Sequence, residues 1–197
     1  MSTRLRPALF LDRDGVIIEN KSDYVRSLDD VHFIPGALAA LARLARARPD
    51  WRILVVTNQS AVGRGLMTSA AVQAINAYVL DHVRAAGGRI DRFYVCPHRP
   101  EEACACRKPA PGMLLQAAAE WGVDLAGSVM IGDAVSDVQA ARAAGVTPIL
   151  VESGLGSRAA LVAAGLGGTR TAPDLAAALA GVLADAATPT PSQTNAP

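Results

Sequence analysis

At 197 residues, 51% of them hydrophobic and 19% charged, the chain can bury one sizeable core and is short for two full domains. Its formal net charge is +1, and no run of Lys or Arg is long enough to make the basic stripe that phosphate-backbone binding needs, which excludes nucleic acid as the expected partner. No stretch approaches the roughly 18 uninterrupted apolar residues of a membrane span, and residues 1–10 lack the apolar segment of a signal peptide, so no membrane contact and a cytoplasmic location are expected.

In chain order, residues 8–12 (ALFLD) read as the first strand and run into DRDG. Asp12 and Asp14 stand two apart on an extended chain, so both carboxylates can face one side, and Gly15 permits a sharp turn. Two carboxylates held together repel unless a cation joins them, which suggests Mg²⁺. One such carboxylate can attack phosphorus and the other can protonate the leaving alkoxide. An ordinary loop carrying two Asp residues is the alternative. Residues 15–35 have no clear period and are expected to form a flap; they include Glu19, Asn20, Lys21, Asp23 and Tyr24.

A helix is expected over 36–48, followed by a strand at 52–57 (RILVVT). Thr57, Asn58, Gln59 and Ser60 come next and offer neutral donors to a phosphoryl oxygen, although these are also common cap and turn residues. After a helix over 69–86 and a strand over 91–96, all three cysteines fall within eleven residues. Cys96, His98, Cys104 and Cys106 make the donor set of a closed, tetrahedral, structural Zn²⁺ site. Such a knot would stiffen the 96–106 loop that delivers Arg107 and Lys108. Lys108 can offset charge on a transferring phosphoryl group, and Arg107 can clamp a second anion; a solvated basic pair is the plainer reading.

A helix over 111–121 and a strand over 128–132 lead to Asp133, with Asp137 one helical turn later. One of these would ligate Mg²⁺ and the other orient it or its waters; a helix cap is the alternative role for Asp133. A helix over 136–145, a strand over 147–151 and a helix over 157–165 complete the pattern. Strand and helix alternate throughout, and runs such as ILVV suit strands covered on both faces, so the expected fold is α/β, a Rossmann-like parallel sheet with helices on both sides. Ligands of such sheets bind at the carboxyl ends of the strands, where the polar residues above are found. One domain is expected over 1–187, with a disordered tail over 188–197. His32, His82, Trp51 and Trp121 read as packing or surface residues.

DRDG, TNQS, CRKP followed by PGM, and GD with a later Asp, each placed after a strand, resemble the haloacid dehalogenase superfamily of phosphatases over residues 8–152. Together with the Cys-His-Cys-Cys loop, they are similar within it to the D-glycero-D-manno-heptose 1,7-bisphosphate 7-phosphatases, with the histidinol-phosphate phosphatases as the alternative. The resemblance implies a capless fold, Asp12 as nucleophile, Asp14 as acid and base, and Thr57 and Lys108 on the phosphoryl group. It further implies Mg²⁺ on Asp12, Asp133 and the backbone carbonyl of Asp14, with Asp137 behind them and Zn²⁺ in the loop. Arg107 would then recognise a remote phosphate, with Arg13, Glu19, Asn20, Lys21, Asn58, Gln59 and Ser60 also expected at the substrate. The implied partner is a small phosphorylated metabolite, a sugar bisphosphate, acted on by a monomer. One departure is Val16, where the family motif DRDGT has Thr.

Overall fold

A computed structural model describes residues 5–187 of the chain; the tail expected over 188–197 lies outside the described residues. The strands are β1 (Ala8–Leu11), β2 (Arg52–Asn58), β3 (Arg92–Cys96), β4 (Val129–Gly132), β5 (Thr147–Val151) and β6 (Arg170–Ala172). The helices are α1 (Ala37–Ala47), α2 (Ser60–Gly63), α3 (Ser69–Ala85), α4 (Gly112–Trp121), α5 (Val135–Ala143), α6 (Arg158–Ala163) and α7 (Leu175–Ala187). All strand pairings are parallel, in the order β3-β2-β1-β4-β5-β6.

Because β1 carries no exposed residue, its four side chains feed two separate cores by strand alternation. Leu9 and Leu11 join Ile53, Val55, Ile131 and Ile149 against α1, α3 and α7. Ala8 and Phe10 join Leu54, Val56 and Met130 against α4 and α5. Truncating Phe10 to Ala would cost about 3–5 kcal/mol, since it is fully buried between the sheet and the helices on that face. This two-sided burial explains why the strand runs are almost wholly apolar.

With β2 on one side of β1 and β4 on the other, the winding reverses between β1 and β4. A crevice opens outside the carboxyl ends of strands at such a reversal. Asp12 is the first residue beyond β1, and Asp133 the first beyond β4. Topology alone therefore brings together two carboxylates 121 positions apart in sequence.

The segment after β1 is tied down at both ends. Val16, Ile17 and Ile18 are fully buried, and Ile18 bridges to Asp14 and to Phe33. Gly15 makes the turn at φ +79°, and a Cβ there would stand 2.3 Å from Asp133 Oδ2. Further along, a short 3₁₀ turn covers Leu28–Asp30, and Lys21 pairs with Asp30.

Patterning left α2, β6 and α7 unmarked. The three residues of β6 lie at the sheet edge and are too few to show a period. The α7 run LAAALAGVLADAA is apolar on nearly every side, so it lacks the polar face that would have marked a helical stripe; it packs against α1.

Candidate active site

A cavity of about 420 Å³ opens at the β1/β4 reversal. The DRDG turn supplies Asp12 and Asp14, the end of β2 supplies Thr57 and Asn58, and the loop before α4 supplies Lys108. The β4 exit supplies Asp133, and the first turn of α5 holds Asp137 just behind the wall.

Lys108 is 2% exposed, and its ammonium donates to three oxygens. These are Val56 O at 2.8 Å, Asp12 Oδ2 at 2.9 Å and Asp137 Oδ1 at 2.7 Å. Burial works against its charge, but the Asp12 and Asp137 carboxylates outweigh burial and hold the ammonium above its ordinary range. Its backbone is clamped too, because Lys108 N donates to Asn58 Oδ1 at 3.1 Å and Asn58 Nδ2 donates to Lys108 O at 3.0 Å. Although Asn58 reaches the cavity wall, this clamp occupies the side chain that was expected to hold substrate.

Asp12, Asp133 and Asp137 each place a carboxylate oxygen within 4.8 Å of the others. Burial, then the Asp12 and Asp137 charges, push the Asp133 carboxyl up to about 7. Desolvation raises that of Asp137 as well, against the pull of Lys108. One ammonium among three convergent carboxylates leaves the cluster short of positive charge, so the donor set fits a hard divalent cation. Asp133 Oδ2 is further held by the backbone N–H of Leu155 at 2.9 Å and by Asn20 Nδ2 at 3.4 Å.

Asp14 sits in a different setting. Its Oδ2 accepts from Gln59 Nε2 at 2.7 Å and from Arg13 Nη2 at 3.0 Å, and its Oδ1 accepts from Arg13 Nε at 3.2 Å. Burial, opposed by the neighbouring Arg13 guanidinium, still leaves its carboxyl above the ordinary aspartate range. A raised carboxyl facing a cavity can hold a proton and release it to a leaving group. Gln59 Nε2 also donates to Thr57 Oγ1 at 2.9 Å, so one amide ties the acid to the β2 hydroxyl.

The second cluster lies where β3 ends. Neighbouring Sγ and Nδ1 atoms of Cys96, His98, Cys104 and Cys106 stand 3.3–3.6 Å apart, and all four lie within 4.8 Å of one another. Ligands about 2.0–2.3 Å from a tetrahedral Zn²⁺ stand about 3.3–3.8 Å apart, so these residues could hold that ion. Burial and contacts with Cys106 push the Cys96 thiol up to about 12, a penalty that metal binding would reverse. Arg107 follows directly; its Nη1 donates to His98 O at 3.2 Å while the side chain borders the main cavity.

Among the other expected substrate contacts, Asn20, Lys21, Gln59 and Ser60 border the cavity. Two expectations need correction. Arg13 is fully buried and does not line the cavity, because its guanidinium is engaged by Asp14 and by Asn76 Oδ1 at 2.9 Å. Glu19 is exposed and lines a neighbouring hollow together with Asn20, Ser153 and Leu155, and it does not border the main cavity. Arg64, Tyr24 and Leu155 border the cavity without having been singled out as contacts. Arg64 falls four residues after Ser60, a helical spacing that could have marked it. Leu155 acts through its backbone N–H, which side-chain identity cannot signal.

Comparison with known proteins agrees with this geometry. A HAD-hydrolase-like family profile matches residues 105–178. The D-glycero-beta-D-manno-heptose-1,7-bisphosphate 7-phosphatase of Bordetella bronchiseptica is 43% identical over 179 residues, 90% of this chain and 98% of that protein. The enzyme of the same name from Pseudomonas aeruginosa is 43% identical over 153 residues, 78% of this chain and 85% of its own. The crystal structure of the B. bronchiseptica D,D-heptose 1,7-bisphosphate phosphatase, complexed with magnesium and phosphate, superposes with a TM-score of 0.85 at 42% identity, covering 91% of this chain and 99% of that one. With an α/β crevice, a half-buried acid beside a carboxylate cluster and relatives of this closeness, the chain belongs to the haloacid dehalogenase-like hydrolases, in the family of the D-glycero-beta-D-manno-heptose-1,7-bisphosphate 7-phosphatases.

Proposed function

We propose that this chain removes the 7-phosphate of a D-glycero-D-manno-heptose 1,7-bisphosphate through an aspartyl-phosphate intermediate. The observation that carries the reading is the pairing of two unlike carboxylates. Asp12 is held ready by Lys108 in a cluster fit for a cation, while Asp14, two residues on, is half-buried with its carboxyl raised. Asp12, Asp133 and the backbone carbonyl of Asp14 would hold Mg²⁺, with Asp137 behind. When bound, that ion supplies charge neutralisation for phosphoryl oxygens.

In the first step an Asp12 carboxylate oxygen bonds to phosphorus as the ester P–O bond breaks, and Asp14 gives its proton to the departing alkoxide. In the second, Asp14 takes a proton from water, whose oxygen attacks the phosphorus; the Asp12–phosphorus bond breaks, freeing inorganic phosphate and restoring Asp12. The Thr57 hydroxyl and Lys108 ammonium steady the transferring group throughout. Arg107 at the cavity rim would take the remote phosphate, with Asn20, Lys21, Gln59 and Ser60 around the sugar. Zn²⁺ in the thiol cluster would fix the loop that carries Arg107 and Lys108. Thiols kept reduced for that metal suit the cytoplasm.

Phosphate release from the heptose bisphosphate, the heptose 1-phosphate and histidinol phosphate tests the reading, with wild type and Asp12→Asn side by side. The bisphosphate should give the highest kcat/KM, and the Asn variant or a chelator of Mg²⁺ should abolish release. Substantial turnover by Asp12→Asn would end the covalent mechanism, and a preference for histidinol phosphate would displace the sugar.

A further inference from the structure

The mechanism leaves one fully buried charge without a task. Arg13 is 0% exposed, lies behind the cavity and spends its fork on Asp14, with Nε and Nη2 donating to both carboxylate oxygens at 3.0–3.2 Å. Its remaining arm, Nη1, donates at 2.9 Å to Asn76 Oδ1, 63 positions away on α3. The buried face of α3 is otherwise Val72, Ile75, Val79 and Val83, so a core position that would suit an aliphatic residue holds an amide instead, at 7% exposure.

We infer that Asn76 is a positioning residue for the proton transfer: through Arg13 it fixes the direction in which the Asp14 carboxyl presents its proton to the leaving oxygen. A guanidinium is planar, so anchoring Nη1 as well as Nε and Nη2 fixes its plane and with it the plane of the carboxyl it grips. Gln59, just past the end of β2, holds the same carboxyl from the cavity side at 2.7 Å, so Asp14 is held directly by Gln59 and, through Arg13, by α3. With the Asn76 amide removed, Arg13 loses the acceptor at one end and can rotate about its long side chain. An acid displaced by a fraction of an ångström loses much of its catalytic contribution. If Asn76 served only to satisfy a buried arginine, its loss would lower stability without favouring one class of leaving group.

The test rests on the phosphatase reading and separates the two ideas by leaving group. An alkyl ester needs a proton as it departs, whereas p-nitrophenolate leaves without one, and kcat/KM for each reports the first transfer step before any water is activated. In Asn76→Leu, kcat/KM for the heptose bisphosphate should fall about tenfold or more, while that for p-nitrophenyl phosphate stays within about threefold of wild type. The ratio of the two values within one preparation does not depend on the fraction folded, so a partly misfolded sample still answers, and Asn76→Ala serves if the Leu variant gives no soluble protein. Asn76→Asp keeps an acceptor at the same atom and should recover the alkyl ester to within about threefold. Parallel losses on both esters, no loss on either, or failure of Asn76→Asp to recover would each overturn the inference while leaving the phosphatase intact. A wild-type enzyme that hydrolyses neither ester would instead overturn the function and this inference with it.

Discussion

Lys108→Met is the sharpest test of how this site is held together. The substitution keeps a long apolar stem and removes only the ammonium, leaving Asp12, Asp137 and the Val56 carbonyl facing an uncharged group. At the observed separations of 2.7 and 2.9 Å, each ion pair is worth about 6 kcal/mol of attraction at an effective dielectric near 20. Much of that is offset by the cost of burying the ammonium, which the variant no longer bears. Removing one partner of a buried pair leaves a net loss of about 3–5 kcal/mol. For a chain of this size that is a fall in Tm of about 6–20 °C. Melting curves in EDTA at pH 7.5 read the effect directly. Added Mg²⁺ should then raise the variant's Tm more than the wild type's, because the cluster it enters carries one more uncompensated negative charge. Turnover should drop by about 10²–10³ even with Mg²⁺ saturating, since a preorganised charge on the phosphoryl group is gone. A variant melting within a degree of wild type in EDTA, or gaining no more from Mg²⁺, would mean that the carboxylates are not balanced by Lys108 as described.

The Asp133 carboxyl, pushed up to about 7 from its ordinary 3.8, dictates a pH effect in metal-free protein. Its stabilising contribution is fully present below the unfolded value near 3.8 and is lost as pH rises through about 7, so in EDTA the Tm advantage of Asp133→Asn over wild type should grow between pH 4 and pH 8; a flat difference would contradict the raised value. Cys104→Ser removes one thiolate of the cluster, and metal analysis of purified protein should find zinc falling from about one per chain to a small fraction of that; an unchanged zinc content would place the metal elsewhere. A Cβ at Gly154 would stand 2.0 Å from Asp133 Oδ2, so Gly154→Ala should shift that carboxylate and raise the Mg²⁺ concentration needed for half-maximal activity several-fold, at a stability cost of about 1–3 kcal/mol. An unchanged Mg²⁺ requirement would show that the 153–157 loop gives way instead.

Much of the candidate site was legible in the linear chain because its groups are carried by short, local patterns. Asp12 and Asp14 on one extended turn, Thr57 at the end of an apolar run, and Asp133 with Asp137 one helical turn apart each have a meaning set by strand or helix period alone. The four side chains Cys96, His98, Cys104 and Cys106, which could hold a metal, are likewise a local cluster. Alternating strands and helices also announced the parallel sheet, since long crossovers are how parallel strands connect. What no pattern could carry was direction across distance. That β1 and β4 are neighbours, so that Asp12 and Asp133 share one cluster, follows from the winding reversal of the whole sheet. Arg13 looked like a substrate contact between Asp12 and Asp14, yet alternation along the turn drives it inward to Asn76, a partner 63 positions away that carries no motif. The Leu155 N–H on Asp133 and the Asn58 clamp on the Lys108 backbone are bonds to main-chain atoms, which every residue possesses and no sequence distinguishes. Residue identity determined which chemistry was available; the packing of α3 and the loop after β5 against the sheet decided which groups face the cavity and which hold others in place.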